Sequence, residues 1–549
     1  MTAANTRLEL TWPNKDKFLL VPKDDTGKPV WVDPDHPAAR EVRLSDFGAN
    51  YGEVNEDDPF GDNLMFCGDS LDVLRILAEV PEYARHYRGK VKLVYIDPPF
   101  NTGQTFTHYD DWMEHSTWLS FMRDRLLAIK ELLSPDGSVW VHLDDAEVHR
   151  MRCLMDEVFG AENFVATVVW EKTDSPRMDA KTFSVRHDTI VVFQRSEAFA
   201  VTRLPAELGS HYNKVDEQGR AYYLKPLRAM GGQGSTRAAR PNLYFGLVAP
   251  DGREVFPKLP DGGDGAWRWG KDKCVRDAHL IEWVEGRSGW APYFRIVGDV
   301  ETGRPPETIW NHAEVGSTRT SAREIKSILA GTAFSTPKPE RLLERVIHIG
   351  SNPGDIVLDC FGGSGTTAAV AHKMGRRWVT TEILPETIAT FTSPRLQKVV
   401  AGEDPGGITE SVGWTGGGDF REVSVAPSMY EVTPVGVMLA DWATNGRFAR
   451  AVAGQLGFEW QSKKHAPFCG VRGRMRLAVF DGAVGVEEAS DVLAALGEKE
   501  RVTIVAKVVL PGVEEYLAEH SRGSRVKKAP RDLLAGKTRR RRKAEDTPA

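Results

Sequence analysis

Between residues 61 and 401 short apolar, β-branched runs alternate with stretches of helical spacing, and this alternation most restricts the folds open to the chain. Leu64-Met65-Phe66 ends at Cys67-Gly68-Asp69, apolar residues recur at helical intervals from Ser70 to Glu79, and Val91 to Ile96 is again strand-like. Trp118, Met122, Leu126, Ile129 and Leu133 share one helical face, Ser134-Pro135-Asp136-Gly137 ends that helix, and Val139 to Leu143 forms another strand. Phe164 to Trp170 and Asp188 to Gln194 read as two more. After an interruption, a helical stretch from Pro339 to His348 leads to a strand from Asp355 to Asp359, a glycine loop, a helix from Thr367 to Met374 and the strand Trp378 to Thr381. Strands and helices in this rhythm predict an α/β, Rossmann-like fold with a mostly parallel sheet.

A chain of 549 residues exceeds what one core usually supports. Residues 1–60, rich in Pro, Asp and Lys, predict an irregular N-terminal arm. The α/β domain occupies 61–195 and resumes over 331–401. Between them, at 196–330, periodicity dissolves into Gly, Pro, Arg and aromatic residues, as expected of an inserted recognition region. Gly406-Gly407 and Gly416-Gly417-Gly418 predict a flexible linker over 402–428. Residues 429–535 suggest a small C-terminal α/β domain, and 536–549 a basic disordered tail with weak nonspecific attraction for DNA.

Several classes are excluded or disfavoured. No run of about 18 apolar residues exists, and Met1 to Asn14 lacks the pattern of a signal peptide, so the expectation is a cytoplasmic protein without membrane contact. The five cysteines form no Cys-x-x-Cys pair, which argues against a metal knuckle, a redox motif or a disulfide framework. The net charge of -6 neither supports nor excludes a nucleic-acid partner, because local placement of Lys and Arg decides phosphate binding.

Two loops carry the chemistry. In Asp359-Cys360-Phe361-Gly362-Gly363-Ser364-Gly365-Thr366 a strand gives way to a helix across glycines, which lets backbone approach a ligand closely; Glu382, at the end of the next strand, can accept ribose hydroxyl protons. Taken alone, the loop also satisfies a loose dinucleotide pattern, leaving a nicotinamide or flavin cofactor open. The second loop is Asp97-Pro98-Pro99-Phe100, directly after a strand. Asp97 can accept a hydrogen from an aromatic amine and the Pro98 carbonyl a second. Consecutive prolines, Pro98 and Pro99, fix the backbone without adding donors, and Phe100 offers a face on which a base can stack.

Together these loops resemble the catalytic and cofactor motifs of amino-group DNA methyltransferases. Their order, catalytic motif first with a long insert between, is similar to the permuted β group of adenine methyltransferases. Residues 62–390 more closely resemble the modification subunits of type III restriction systems. The resemblance implies S-adenosylmethionine as cofactor, with Asp359, Phe361, Gly363, Ser364, Gly365 and Thr366 in its loop, Glu382 on the ribose, Asp69 at the adenine and Lys338 in the segment beside the methionine portion. Asp69 has a plain alternative as a helix cap. Phe100 departs from the family, where Tyr is commoner.

The implied reaction is methylation of the N6 amine of an adenine rotated out of double-stranded DNA. Arg237, Arg240, Arg268, Lys271 and Lys273 of the insert are the candidate DNA contacts, and aromatic residues there can fill the gap left by the extruded base. A homodimer and a helicase-nuclease restriction subunit are the candidate partners. Three alternatives stay open at this point: methylation of the cytosine N4 amine, a nicotinamide-dependent oxidoreductase, and a noncatalytic DNA-binding subunit. No Pro-Cys dipeptide exists for cytosine carbon methylation.

Overall fold

The computed structural model describes residues 9–21, 28–102, 113–205, 209–230, 234–286, 289–298, 303–329, 333–433, 436–443, 447–461 and 467–534. Ten strands form its central sheet: β1 (Ser45–Gly52), β2 (Leu64–Cys67), β3 (Val91–Ile96), β4 (Leu133–Leu143), β5 (Phe164–Glu171), β6 (His187–Gln194), β7 (Ile309–Trp310), β8 (Ile356–Asp359), β9 (Arg377–Glu382) and β10 (Asp419–Val425). Their spatial order is β7-β5-β6-β4-β3-β8-β9-β2-β10-β1. From β4 to β10 all neighbours run parallel, whereas β6 opposes β4 and β5, and β1 opposes β10.

The central strands β2, β3 and β8 are mostly apolar because helices cover both faces. Val94 and Ile96 enter a core built with α1 (Ser70–Glu79), α2 (His115–Leu132) and α3 (Val148–Phe159), where Leu74, Met122, Leu126 and Met155 are fully enclosed. Leu93 points the other way, against α4 (Glu340–Gly350), which packs on α5 (Thr366–Lys373); α6 (Ser393–Ala401) follows. α1, α2, α4 and α5 start and stop within about three residues of the limits expected from spacing, whereas α3 and α6 were not anticipated.

Three boundaries differ from expectation. The N-terminal arm is not irregular: β1 closes one edge of the sheet, and Trp12, Leu19 and Val42 lie in the main core. Its strand sequence, SDFGANYG, pairs along one side only and therefore lacks a continuous apolar signature. The stretch 402–428 is not a free linker, since β10 inserts between β2 and β1 and Phe420 stacks on Tyr51 at 4.6 Å. The glycines misled because they serve close packing: Gly402 and Gly416 approach each other across a backbone contact that no Cβ would fit. The insert is shorter than 196–330, because β7 already pairs with β5 and the helix Thr318–Ile328 packs through Ile325 and Ile328 onto Phe391.

The compact insert, Arg203–Pro306, has its own four-stranded antiparallel sheet, from Ile281–Gly286 through Gly289–Val297 and Ala221–Pro226 to Lys214–Val215, and a small core around Leu227, Trp267 and Cys274. A separate five-stranded sheet lies in the C-terminal region, and it clusters with the remainder of the chain as one unit. Residues 536–549 lie outside the described residues. Among the described residues no helix is long and apolar enough to cross a membrane.

If β10 is a core strand, Phe420→Ala removes a fully buried ring, and denaturant titration will show a loss of about 3–5 kcal/mol. A tethering segment would lose nothing measurable.

Candidate active site

Because β3 and β8 are parallel neighbours, the loops that follow them leave the sheet at the same carboxyl edge. Asp97, first residue after β3, divides its two oxygens. Oδ2 is ion-paired with the Lys338 ammonium, while Oδ1 is buried with no hydrogen-bond partner. The Pro99 carbonyl accepts the indole N–H of Trp118 at 2.8 Å, which pins the loop to α2.

Phe100 lies over His142 with ring centroids 5.9 Å apart and planes 20° from parallel, and the Lys338 ammonium sits 5.3 Å from the same ring. His142 is itself fully buried. The Tyr95 hydroxyl meets its Nδ1 at 2.7 Å, Asp188 Oδ2 lies 3.3 Å from its Nε2, and the Trp170 ring meets it edge-on at 5.4 Å. Lys172 completes the chain with a 2.6 Å contact to Asp188 Oδ1. Burial pushes the Asp188 carboxyl up, but the hydrogen bond from His142 and the charges of His142, Lys172 and Lys338 outweigh it and hold the group down at about 2.

A cavity of about 490 Å³ opens here, lined by Asp97, Phe100, Asp144, Lys172, Arg177 and Asp188 among others. A smaller cleft of about 40 Å³ lies over the glycine loop, lined by Phe334, Asp359, Phe361, Gly363, Ser364 and Thr366. Asp97, Thr336, Pro337 and Lys338 border both. The ion pair therefore stands at the boundary between two ligand spaces.

The glycine loop is held from below. Asp359 Oδ1 accepts the Phe361 N–H at 2.9 Å and Oδ2 the Thr367 hydroxyl at 2.6 Å. Gly363 and Gly365 adopt positive φ, 49° and 76°, where a side chain would strain the turn. The Glu382 carboxylate accepts the Gly363 N–H and the Leu384 N–H, both at 3.0 Å, and burial pushes its pKa up. Asp69 caps α1, accepting the Leu71 N–H at 2.8 Å, while Arg125 pairs with its other oxygen at 2.7 Å.

The hydroxyls of Ser364 and Thr366, although their residues border the smaller cleft, are engaged within the protein. They lie 3.1 Å apart, and Arg395 donates to Thr366 Oγ1 at 2.7 Å. Arg395 in turn pairs with Glu340 at 2.8 Å, Glu340 with Lys373 at 2.8 Å, and Lys373 with Asp404 at 2.6 Å. All four charges are buried. Burial pushes Glu340 up, yet Arg395 and Lys373 bring its pKa below the ordinary value. Sequence reasoning missed this network and the His142–Asp188–Lys172 chain. Charged residues buried amid apolar helix and strand positions, such as Lys373 after an alanine-rich run, were the available signal.

The basic residues proposed for DNA contact all lie in the compact insert and divide into two sets. Arg237 pairs with Asp264 at 3.0 Å, Arg268 donates to the carbonyls of Pro226 and Arg228 at 3.2 Å, and Lys273 pairs with Asp277 at 2.5 Å. Arg240 and Lys271 are exposed, as is Arg237 despite its ion pair.

Residues 91–393, more than half of the chain, match the model of the N6/N4 DNA methylase family, and the chain belongs to that family. It is 28% identical over 445 residues to the probable type III restriction-modification enzyme HindVI Mod subunit of Haemophilus influenzae, covering 68% of this chain and 56% of that one. To the type III restriction-modification enzyme EcoPI Mod subunit of Escherichia phage P1 it is 29% identical over 373 residues, 58% of this chain and 56% of that one. The chain thus spans about half the length of these relatives. Among solved structures, the PvuII DNA methyltransferase (cytosine-N4-specific) matches at 17% identity and a TM-score of 0.34, over 64% of this chain and 90% of that one.

Burial pushes the Asp359 carboxyl from 3.8 up to about 7, so the folded protein keeps this proton across a range in which the unfolded chain has released it. Stability from this group is thus greatest below pH ~4, falls as pH rises toward ~7, and is level above that, by a few kcal/mol in total. Urea unfolding at pH 5 and pH 8 will show this decline for the wild type and a smaller one for Asp359→Asn.

Proposed function

We propose that this chain is an S-adenosylmethionine-dependent methyltransferase acting on the N6 amine of adenine in double-stranded DNA, as the modification component of a restriction-modification system in the cytoplasm. The observation that carries the reading is the state of Asp97: a carboxylate oxygen without a partner, buried at the boundary between a cavity and the glycine loop.

The residues of the smaller cleft fit the cofactor. Glycines clear the approach to the loop backbone, Glu382, bonded to the Gly363 N–H beside the cleft, has lone pairs suited to ribose hydroxyls, and the buried Asp97 oxygen lacks a donor. S-adenosylmethionine, when bound, supplies a methyl group activated by a sulfonium centre. Asp97 Oδ1 then accepts one hydrogen of the target amine and the Pro98 carbonyl the other, which localises the nitrogen lone pair along the line of transfer. Alignment of this kind accounts for several kcal/mol of barrier reduction. Asp97 or water behind it receives the proton released as the nitrogen is methylated. Lys338 fixes the second oxygen of Asp97 and is better placed as a positioning residue than as a contact to the methionine portion. Phe100, seated on the fixed His142 ring, provides the stacking face.

The larger cavity has the volume for a base rotated out of the duplex, at a cost of a few kcal/mol. Aspartate in the tetrapeptide, where serine suggests the cytosine amine, favours adenine. Relatives named as Mod subunits of type III enzymes support a restriction subunit of helicase-nuclease type as partner, and self-association into a homodimer belongs to the same reading. Arg240 and Lys271 are the insert's better candidates for DNA contact, with Arg237, Arg268 and Lys273 shaping its surface.

Labelled methyl incorporation into DNA, followed by nucleoside mass analysis, tests the proposal. N6-methyladenine is the expected product, Asp97→Ala lowers its formation by about 10²-fold or more, and N4-methylcytosine would refute the adenine assignment. Lys338→Met lowers kcat while leaving the cofactor dissociation constant within about twofold, and Lys338→Arg restores part of the rate. A loss confined to cofactor affinity would return Lys338 to the methionine site.

A further inference from the structure

The segment joining β5 to β6, Lys172 to Arg186, forms a projecting turn beside the larger cavity. Its base is tied twice: the Lys172 N–H donates to the Arg186 carbonyl at 2.9 Å, and the Arg177 N–H donates to the Ser184 hydroxyl at 2.7 Å. Thr173, Arg177 and Val185 line the cavity itself. Immediately beyond the second tie, on opposite limbs of the turn, stand Met178 and Phe183. They are 93% and 92% exposed, and no other large apolar side chain among the described residues exceeds 72%. Two bare apolar side chains at the tip of a braced turn are costly in water unless a partner covers them.

We propose that Phe183, with Met178 flanking it, is the wedge that enters the duplex and occupies the space vacated by the target base. This rests on the reading of the larger cavity as the acceptor pocket. A wedge must be apolar, stand near that pocket and be held out from the surface; Met178 and Phe183 are apolar and exposed, each adjoins a tied residue, and Arg177 and Val185 of the same turn line the pocket. Arg177 and Lys181, both exposed, set positive charge beside the two apolar tips, which suits a phosphate backbone on either side of the inserted ring. An aromatic ring at this point stacks on whichever bases flank the gap, so the contact is indifferent to sequence. The assignment moves gap filling from the aromatic residues of the insert, where the sequence alone suggested it, to the rim of the catalytic cavity.

The test compares two synthetic duplexes carrying the chain's modification site, mapped beforehand by single-molecule sequencing of DNA from expressing cells. In one the target adenine is paired; in the other it faces an abasic position, which lowers the work of extrusion. Phe183→Ala is expected to reduce kcat/KM about tenfold or more on the paired duplex and much less on the abasic one, and to lower the fluorescence rise of 2-aminopurine placed at the target. Met178→Ala should follow the same pattern more weakly. Cofactor affinity and Tm stay at wild-type values, since neither side chain is packed in the free protein. Equal losses on both duplexes, or none on either, overturn the wedge while leaving the methyltransferase reading intact. Failure of the wild type to methylate adenine in either duplex overturns that reading and the wedge with it.

Discussion

The parallel pairing of β3 with β8 is the constraint on which the rest depends. Hydrogen bonds between Val91–Val94 and Ile356–Leu358 join segments more than 250 residues apart in sequence and force Asp97 and the glycine loop to emerge side by side. Lys338, from the turn before α4, then reaches Asp97 and leaves one carboxylate oxygen engaged and the other bare. The two oxygens of one carboxylate thus stand in different environments, one charge-paired and one open to a ligand.

Support for this edge is electrostatic as much as apolar. Glu340, Lys373, Arg395 and Asp404 bring α4, α5, α6 and the chain after α6 to one buried point, and Arg395 transmits that rigidity to Thr366 at the glycine loop. Burying four charges is expensive, and such a network holds only while each member keeps its partners. On the other side of the site, His142 carries Phe100 on a ring that Tyr95, Asp188 and Trp170 immobilise. Both arrangements fix geometry before any ligand arrives, which is the condition for catalysis by alignment.

The sequence made the strands and helices around the site legible because strands covered on both faces leave long apolar runs, and helices leave their period. The two ligand loops were legible as well, since glycine and proline have few structural substitutes. Edge strands were not: β1 and β10 carry mixed side chains, and β10 follows glycines that suggested slack where they permit close packing. Ser364 and Thr366 belong to the loop by position, yet the Thr366 hydroxyl accepts from Arg395 and the Ser364 hydroxyl meets that of Thr366, a pairing no linear motif encodes. Likewise Asp69 could be a cap or a ligand contact on sequence grounds, and the Leu71 and Arg125 contacts show the first role.

The strand order has a consequence for how the chain is made. β2 and β3 are translated early, but they are never neighbours; β8 and β9 must slot between them. The ribosome needs roughly ten to fifty seconds to cover the distance from Ile96 to Ile356 at bacterial elongation rates. Throughout that interval β3 can pair with β4 on one side only and β2 has neither of its neighbours, so open strand edges persist until residues 356–382 arrive to join the halves.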